Sequence, residues 1–220
     1  MDIQEVICQI ANIDDTVAFY EAMGFKVSKQ ATSASVEIGT SKLTFISGPD
    51  AYTYHIAFNI PRNAFPDAKE WLQQFVELIA EDGEDEVYFE RIDAYSVYFY
   101  DPAGNIMELI ARRQEVEDAE YETFSSDTIL AIGEVGFVMP HIEQALHVME
   151  DFHIPVRAGS TPSTTMITFY GENGCYIITA PAGRKWLFSS LVATPSPITI
   201  HTSYGTIMYP TNLAKNHRET

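Results

Sequence analysis

The stretch "YDPAGNIMELI", residues 100–110, decides how this chain is read. Pro102 fixes its own φ near −65°, which suits an early turn position. Gly104 and Asn105 tolerate the positive φ that a reversal needs. The apolar run that follows reads as a strand whose side chains alternate between two faces. Ile106, Glu108 and Ile110 fall on one face, Met107 and Leu109 on the other. A carboxylate among such neighbours is costly to bury without a partner. Glu108 therefore either faces water, pairs with Arg112 or Arg113, or serves as a metal ligand or catalytic group in a pocket.

Working outward, the same order of elements recurs. "IQEVICQIAN" reads as a strand. "IDDTVAFYEAMGF" reads as a helix that Asp14 or Asp15 can cap and Gly24 can end. Three short strands follow. "YTYHIAFNIP" then opens a second copy, with a helix over "AFPDAKEWLQQFVELIA" whose Trp71, Phe75, Leu78 and Ile79 share a face. Its three closing strands end in the opening stretch. "RRQEVEDAEYETFSSDT" is charged, has no apolar period and reads as a linker. A third copy starts at "AIGEVGFVMP", with a helix over "HIEQALHVMEDF" and strands at "IPVRAG", "TTMITFYG" and "CYIITAP". The remainder supplies two more strands. "EVICQIANIDDTVAFY" overlays "EVGFVMPHIEQALHVM", so Glu5 meets Glu134 and Ile13 meets Ile142.

Composition narrows the function. The chain has 220 residues, 46% of them hydrophobic, and a formal net charge of −18. So acidic a protein is a poor partner for nucleic acid or an anionic membrane. Only the tail "LAKNHRET" is mildly basic, as a solvated terminus would be. No apolar run is long enough to span a bilayer, and the N-terminus lacks a signal core. Cys8 and Cys175 read as small core residues in a reducing cytoplasm. No P-loop, nucleotide-binding glycine fingerprint or GxSxG elbow is present. His141, His147 and His153 do not share a helix face and read as surface residues.

"IDDTVAFYEAMGF" and "YSVYFYDPAGNIMELI", in this order and spacing, resemble the vicinal oxygen chelate superfamily of glyoxalases, extradiol dioxygenases and fosfomycin and bleomycin resistance proteins. The resemblance implies an α+β fold of tandem βαβββ modules, forming curved mixed sheets around a pocket. On that basis residues 1–112 form a pair of modules, 113–126 an acidic linker, and 127–220 a degenerate module with extra strands. Metal ligands in such proteins come from the first strand of each module and from the last strand. This implies Glu5, His55 and Glu108 as ligands, with Glu5 where many relatives have His. Glu134 repeats the Glu5 position, but its module lacks an evident DPxGNxxE strand, so no second site is expected there.

Two carboxylates and an imidazole suit a divalent ion such as Mn, Fe, Ni, Zn or Mg. Tyr98, ten residues before Glu108, fits the later half of the ring-cleaving dioxygenase signature and is the candidate catalytic residue. The His that this signature places before Val97 is missing from "YFERIDAYS", which argues against ring cleavage. Arg184 and Trp186 in "PAGRKW" could shape a pocket or an interface, with a structural role expected. The expectation is a metal-dependent enzyme acting on a small molecule with adjacent oxygens, in a cytoplasmic protein and as a homodimer. The alternative is a metal-free protein that sequesters a small ligand, as bleomycin-resistance proteins do.

Overall fold

The computed structural model describes residues 1–210, so the basic tail lies outside the described residues. Four modules share two sheets. β1 (Ile3–Ile10), β2 (Val27–Lys29), β3 (Ser33–Ile38) and β4 (Ser41–Ser47) form the first module, with α1 (Ile13–Ala22) after β1. β5 (His55–Ile60), α2 (Phe65–Leu72), β6 (Val87–Phe89), β7 (Ala94–Tyr100) and β8 (Ile106–Arg112) form the second. β9 (Ala131–Phe137), α3 (Ile142–Asp151), β10 (Thr168–Glu172) and β11 (Cys175–Thr179) form the third. β12 (Ile198–Thr202) and β13 (Gly205–Tyr209) are the remnant of a fourth. No helix among the described residues is long and apolar enough to cross a membrane.

The pairing of modules differs from the expected one. Residues 1–112 do not make one sheet. The six-stranded sheet runs β13-β12-β1-β4-β3-β2, and the seven-stranded sheet runs β10-β11-β9-β5-β8-β7-β6. The second module thus pairs with the third, through antiparallel β5 and β9. The first pairs with the fourth, through antiparallel β1 and β12. Within each of the first three modules the first strand lies parallel to the last, β1 with β4, β5 with β8 and β9 with β11.

Most strands turn one face to a common apolar core. Val6, Cys8 and Ile10 of β1, Ile56, Phe58 and Ile60 of β5, and Met107 and Leu109 of β8 lie in it with residues of all three helices. Both cysteines are free and buried, as the composition suggested. Burying a side chain of this size contributes roughly 1.5–3 kcal/mol.

Local chemistry accounts for the element ends. Asn12, rather than Asp14 or Asp15, caps α1, its side-chain oxygen accepting from the Asp15 N–H at 3.3 Å. Gly24 ends it at φ +88°. α2 stops at Leu72 instead of running to Ala80. The chain then turns back along β7, with the Ile79 N–H donating to the Tyr98 carbonyl at 2.8 Å. "IPVRAG" makes only an isolated bridge, Val156 to Tyr170.

The Asp-Pro-Ala-Gly-Asn turn does more than reverse the chain. Asp101 Oδ1 accepts from the backbone N–H groups of Ala103 and Asn105, at 3.0 and 2.9 Å. Its Oδ2 accepts from Asn105 Nδ2 at 2.9 Å. Asn105 Oδ1 in turn accepts from the Tyr54 N–H at 3.1 Å, which ties the turn to the start of β5. This fixes the parallel register in which Ala57 sits opposite Glu108 and His55 opposite Ile106.

The connecting segment is exposed at Arg113, Gln114, Glu117, Asp118, Glu120, Glu122 and Thr123. It is also docked. Arg62 Nε donates to Asp118 at 2.8 Å, the Tyr121 hydroxyl donates to Asp67 at 2.9 Å, and Phe124 is buried against Trp71. Each sheet contains strands from both sides of this segment. A protease specific for glutamate is therefore expected to cut first at Glu117, Glu120 or Glu122, and the fragments are expected to co-elute under native conditions. Size-exclusion chromatography of the nicked protein checks this, and fragments that separate without denaturant would contradict the pairing.

Candidate metal centre

Three buried titratable side chains meet on the face of the seven-stranded sheet turned away from the core. They are His55 on β5, Glu108 on β8 and Glu134 on β9, at 6%, 2% and 4% exposure. One donor atom from each lies within 4.8 Å of the others. His55 Nε2 is 3.5 Å from Glu108 Oε2 and 3.9 Å from Glu134 Oε2. Two of the three ligands implied by the resemblance are thus side by side.

Glu5 is not among them. It lies on β1 in the other sheet, half-buried, and accepts a hydrogen bond from the Thr44 hydroxyl at 2.6 Å. The reason is topological. A ligand from a partner module must sit on the strand antiparallel to β5, and that strand is β9 rather than β1. Glu134 therefore occupies the place expected of Glu5. The overlay of Glu5 on Glu134 was the sequence signal for it, but the overlay does not say which module β5 pairs with.

The other oxygen of each carboxylate is held by the protein. The Ser96 hydroxyl donates to Glu108 Oε1 at 2.5 Å. Arg112 Nη2 donates to Glu134 Oε1 in a buried ion pair. Arg112 itself is fully buried, and its Nε donates to Asn59 Oδ1 at 3.3 Å. Asn59 Nδ2 donates onward to the Gly174 carbonyl at 2.9 Å. Arg112 thus pairs across the sheet with Glu134 and, through Nη1 at 3.7 Å, with Glu115, and not with Glu108.

The electrostatics separate the two acids. Burial, then the neighbouring Glu134 charge, pushes the Glu108 carboxyl up to about 7. Burial also pushes Glu134 up, but Arg112 and His55 outweigh it and hold this carboxylate below its usual range. Burial disfavours a charged His55, yet Glu134 and Glu108 together raise it. His55 Nδ1 has no hydrogen-bond partner among the described residues.

The fourth position of such a site is apolar here. Glu108 faces the residue two beyond His55; the residue two beyond Glu134 is Gly136, which faces Ile178 on β11. The cluster therefore offers two oxygens and one nitrogen, open on the Ile178 side. That side gives onto a cavity of about 410 Å³ lined by Tyr98, Phe169, Ile178 and Trp186 among others. The Trp186 ring lies 5.0 Å from the His55 ring, centroid to centroid. Gly136 makes room for it, since a Cβ there would come within 3.1 Å of the indole. Tyr98 is opposite Glu108 and stacks on Phe188 at 5.3 Å. Burial, and then Glu108, hold its hydroxyl protonated well above the usual tyrosine range.

The donor set passes a simple test of fit. Bonds from oxygen and nitrogen ligands to ions such as Zn are about 2.0–2.2 Å. Donors 3.5 and 3.9 Å apart leave room for such an ion between them, whereas they are too far apart for strong direct hydrogen bonds.

With its sheets and centre described, the chain has the fold of the vicinal oxygen chelate superfamily. A candidate dioxygenase from Bacillus subtilis superposes with a TM-score of 0.59 at 16% identity, covering 94% of this chain and 69% of that one. A glyoxalase I variant from Zea mays superposes with a TM-score of 0.53 at 12% identity, covering 81% of this chain and 66% of that one. Within the sequence, residues 132–184 match the family described as toxoflavin-degrading enzyme. No curated protein matches it.

Arg112 and Glu134 form a buried pair whose members depend on each other. Removing one partner of such a pair costs about 3–5 kcal/mol, because the other is left as an uncompensated charge. Arg112→Leu in chelator-treated protein is expected to lose stability on that scale. Arg112→Leu combined with Glu134→Leu should recover much of the loss. Urea unfolding of the two single variants, the double variant and the parent closes the cycle, and strictly additive losses would show that the pair is not coupled.

Proposed function

We propose that the protein is a divalent-metal-dependent enzyme of the glyoxalase and dioxygenase type, acting on a small substrate with two neighbouring oxygens. The observation that carries this reading is the division of labour within each carboxylate. One oxygen is anchored by Ser96 or Arg112, and the other is turned toward His55 Nε2. Such anchoring by surrounding groups is what orients metal ligands. His55, Glu108 and Glu134 would hold the ion. A bound ion of this kind supplies Lewis acidity toward the two substrate oxygens.

The chain's own residues do the rest. The aromatic and aliphatic walls exclude water from the substrate body. Trp186 and Phe169 suit a flat ring system, in keeping with the match to a family named for the degradation of toxoflavin. Tyr98, whose hydroxyl keeps its proton, would donate a hydrogen bond to a substrate oxygen rather than act as a base. All three proposed ligands come from one chain, so homodimerisation is not needed to complete the centre.

Metal binding tests the reading directly. Reconstitution with Mn(II) should give about one ion per chain and raise the melting temperature, since an ion bound by the folded state alone stabilises it by mass action. Glu108→Gln, His55→Ala and Glu134→Gln should each lose the ion and the shift, while Glu5→Gln keeps both. Elemental analysis and thermal melts of the four variants read this out. Protein that stays metal-free after exposure to Mn, Fe, Ni and Zn, with its fold intact, would rule the enzyme reading out in this form.

A further inference from the structure

The cavity above the centre has an unusual charge distribution for so acidic a protein. Three of the chain's seven arginines, Arg91, Arg157 and Arg184, line it. Arg157 is already engaged. Its Nη2 donates to Glu115 at 2.7 Å, and its guanidinium lies over the Tyr176 ring at 4.8 Å. Arg91 and Arg184 are not. Of the lysines and arginines among the described residues, they and Lys42 alone have no described carboxylate as an ion-pair partner. Arg91 Nη2 donates to the Gly159 carbonyl at 2.7 Å, and Arg184 Nη1 to the Lys185 carbonyl at 3.2 Å. Those contacts tether each side chain and leave most of its five N–H donors unused.

The two arginines also come from opposite ends of the sheet. Arg91 sits in the 3₁₀ turn between β6 and β7, at one edge. Arg184 follows β11, near the other edge. Both reach the same cavity. The remaining ionisable groups lining it are His55, Glu108 and Glu134 at the centre, the exposed Glu90, and Tyr88 and Tyr98. With a net charge of −18, the protein's overall field repels anions, and a neutral apolar ligand needs no guanidinium. An anion would need local cations to enter, and guanidinium is the group best shaped to grip a carboxylate or phosphate with paired hydrogen bonds.

We propose that Arg91 and Arg184 form a clamp for an anionic substituent, so that the substrate is a flat apolar ring body bearing a carboxylate or similarly shaped acidic group. Naming the substrate class rests on the proposed function of the same cavity. The ring body lies against Trp186 and Phe169, and the acidic group stays in the cavity with the guanidinium groups, away from Glu108 and Glu134. Arg184 is then a binding residue rather than a structural one.

Calorimetric titration with naphthoate and its uncharged counterpart naphthamide tests the clamp, in protein loaded with Mn(II) and in chelator-treated protein. Naphthoate should bind about tenfold more tightly than naphthamide to both forms at low salt, and the preference should shrink as salt rises. Arg91→Gln with Arg184→Gln should abolish the preference, whereas Lys42→Gln, altering the unpaired lysine outside the cavity, should leave it unchanged. The Mn(II)-induced melting shift of the double variant should equal the parent's, which reports an intact fold and centre.

Equal binding of the two probes, no binding of either, or a preference that survives in the double variant overturns the proposal. A preference seen only with Mn(II) present also overturns it, because the probe would then be coordinating the ion. If the parent shows the preference but takes up no metal, the clamp stands and the enzyme reading fails.

Discussion

The register between β5 and β8 is the constraint on which everything else depends. It is set by a small hydrogen-bonded turn. Asp101 gathers the N–H groups of Ala103 and Asn105, and Asn105 passes the restraint on to Tyr54, the residue before β5. Side chains alternate along a strand, so a slip of one residue would turn His55 into the core and bring Ile56 to the open face. The turn therefore does at the start of the strands what packing alone would do less specifically. It places an imidazole and a carboxylate diagonally across two parallel strands, where one ion or one proton can be shared.

A second restraint acts from the other side. Glu134 reaches the same spot from β9, and Arg112 at the end of β8 holds it there through a buried ion pair. Such a pair is an uncertain source of stability, because desolvating both charges offsets most of their attraction. Its structural effect is clearer. It holds the Glu134 carboxyl below its usual range, while burial and the Glu134 charge push Glu108 up, so a second negative charge at this spot is disfavoured unless a cation joins it. A divalent ion is one answer to that tension, and a proton is the other.

The site also has an asymmetry with a chemical meaning. The two module halves offer four equivalent positions, and this chain fills three with donors and the fourth with Ile178. The apolar fourth position opens the cluster toward the aromatic cavity. A few convergent polar groups on one side and hydrophobic walls on the other are the general make-up of a small-molecule pocket.

By itself the sequence determined the modules, their order and the local devices that end them. The DPAGN turn and the terminal Gly24 are short-range features read where they act, whereas Glu108 could be read only as an isolated carboxylate, because its partners Ser96 and His55 come from other strands. The resemblance singled out His55 and Glu108 because they sit at fixed places within a single module, and the structure sets them side by side. The tertiary structure decided which modules pair. A first strand such as β5 has an edge that any other first strand could fill, and the choice of β9 over β1 depends on packing between residues about eighty positions apart. That choice exchanged Glu5 for Glu134, gave Arg112 its partner across the sheet, and brought Trp186 and Arg184 from beyond β11 to the cavity at the centre. No local periodicity encodes a contact of that kind, because it follows from how whole sheets bury their apolar faces together.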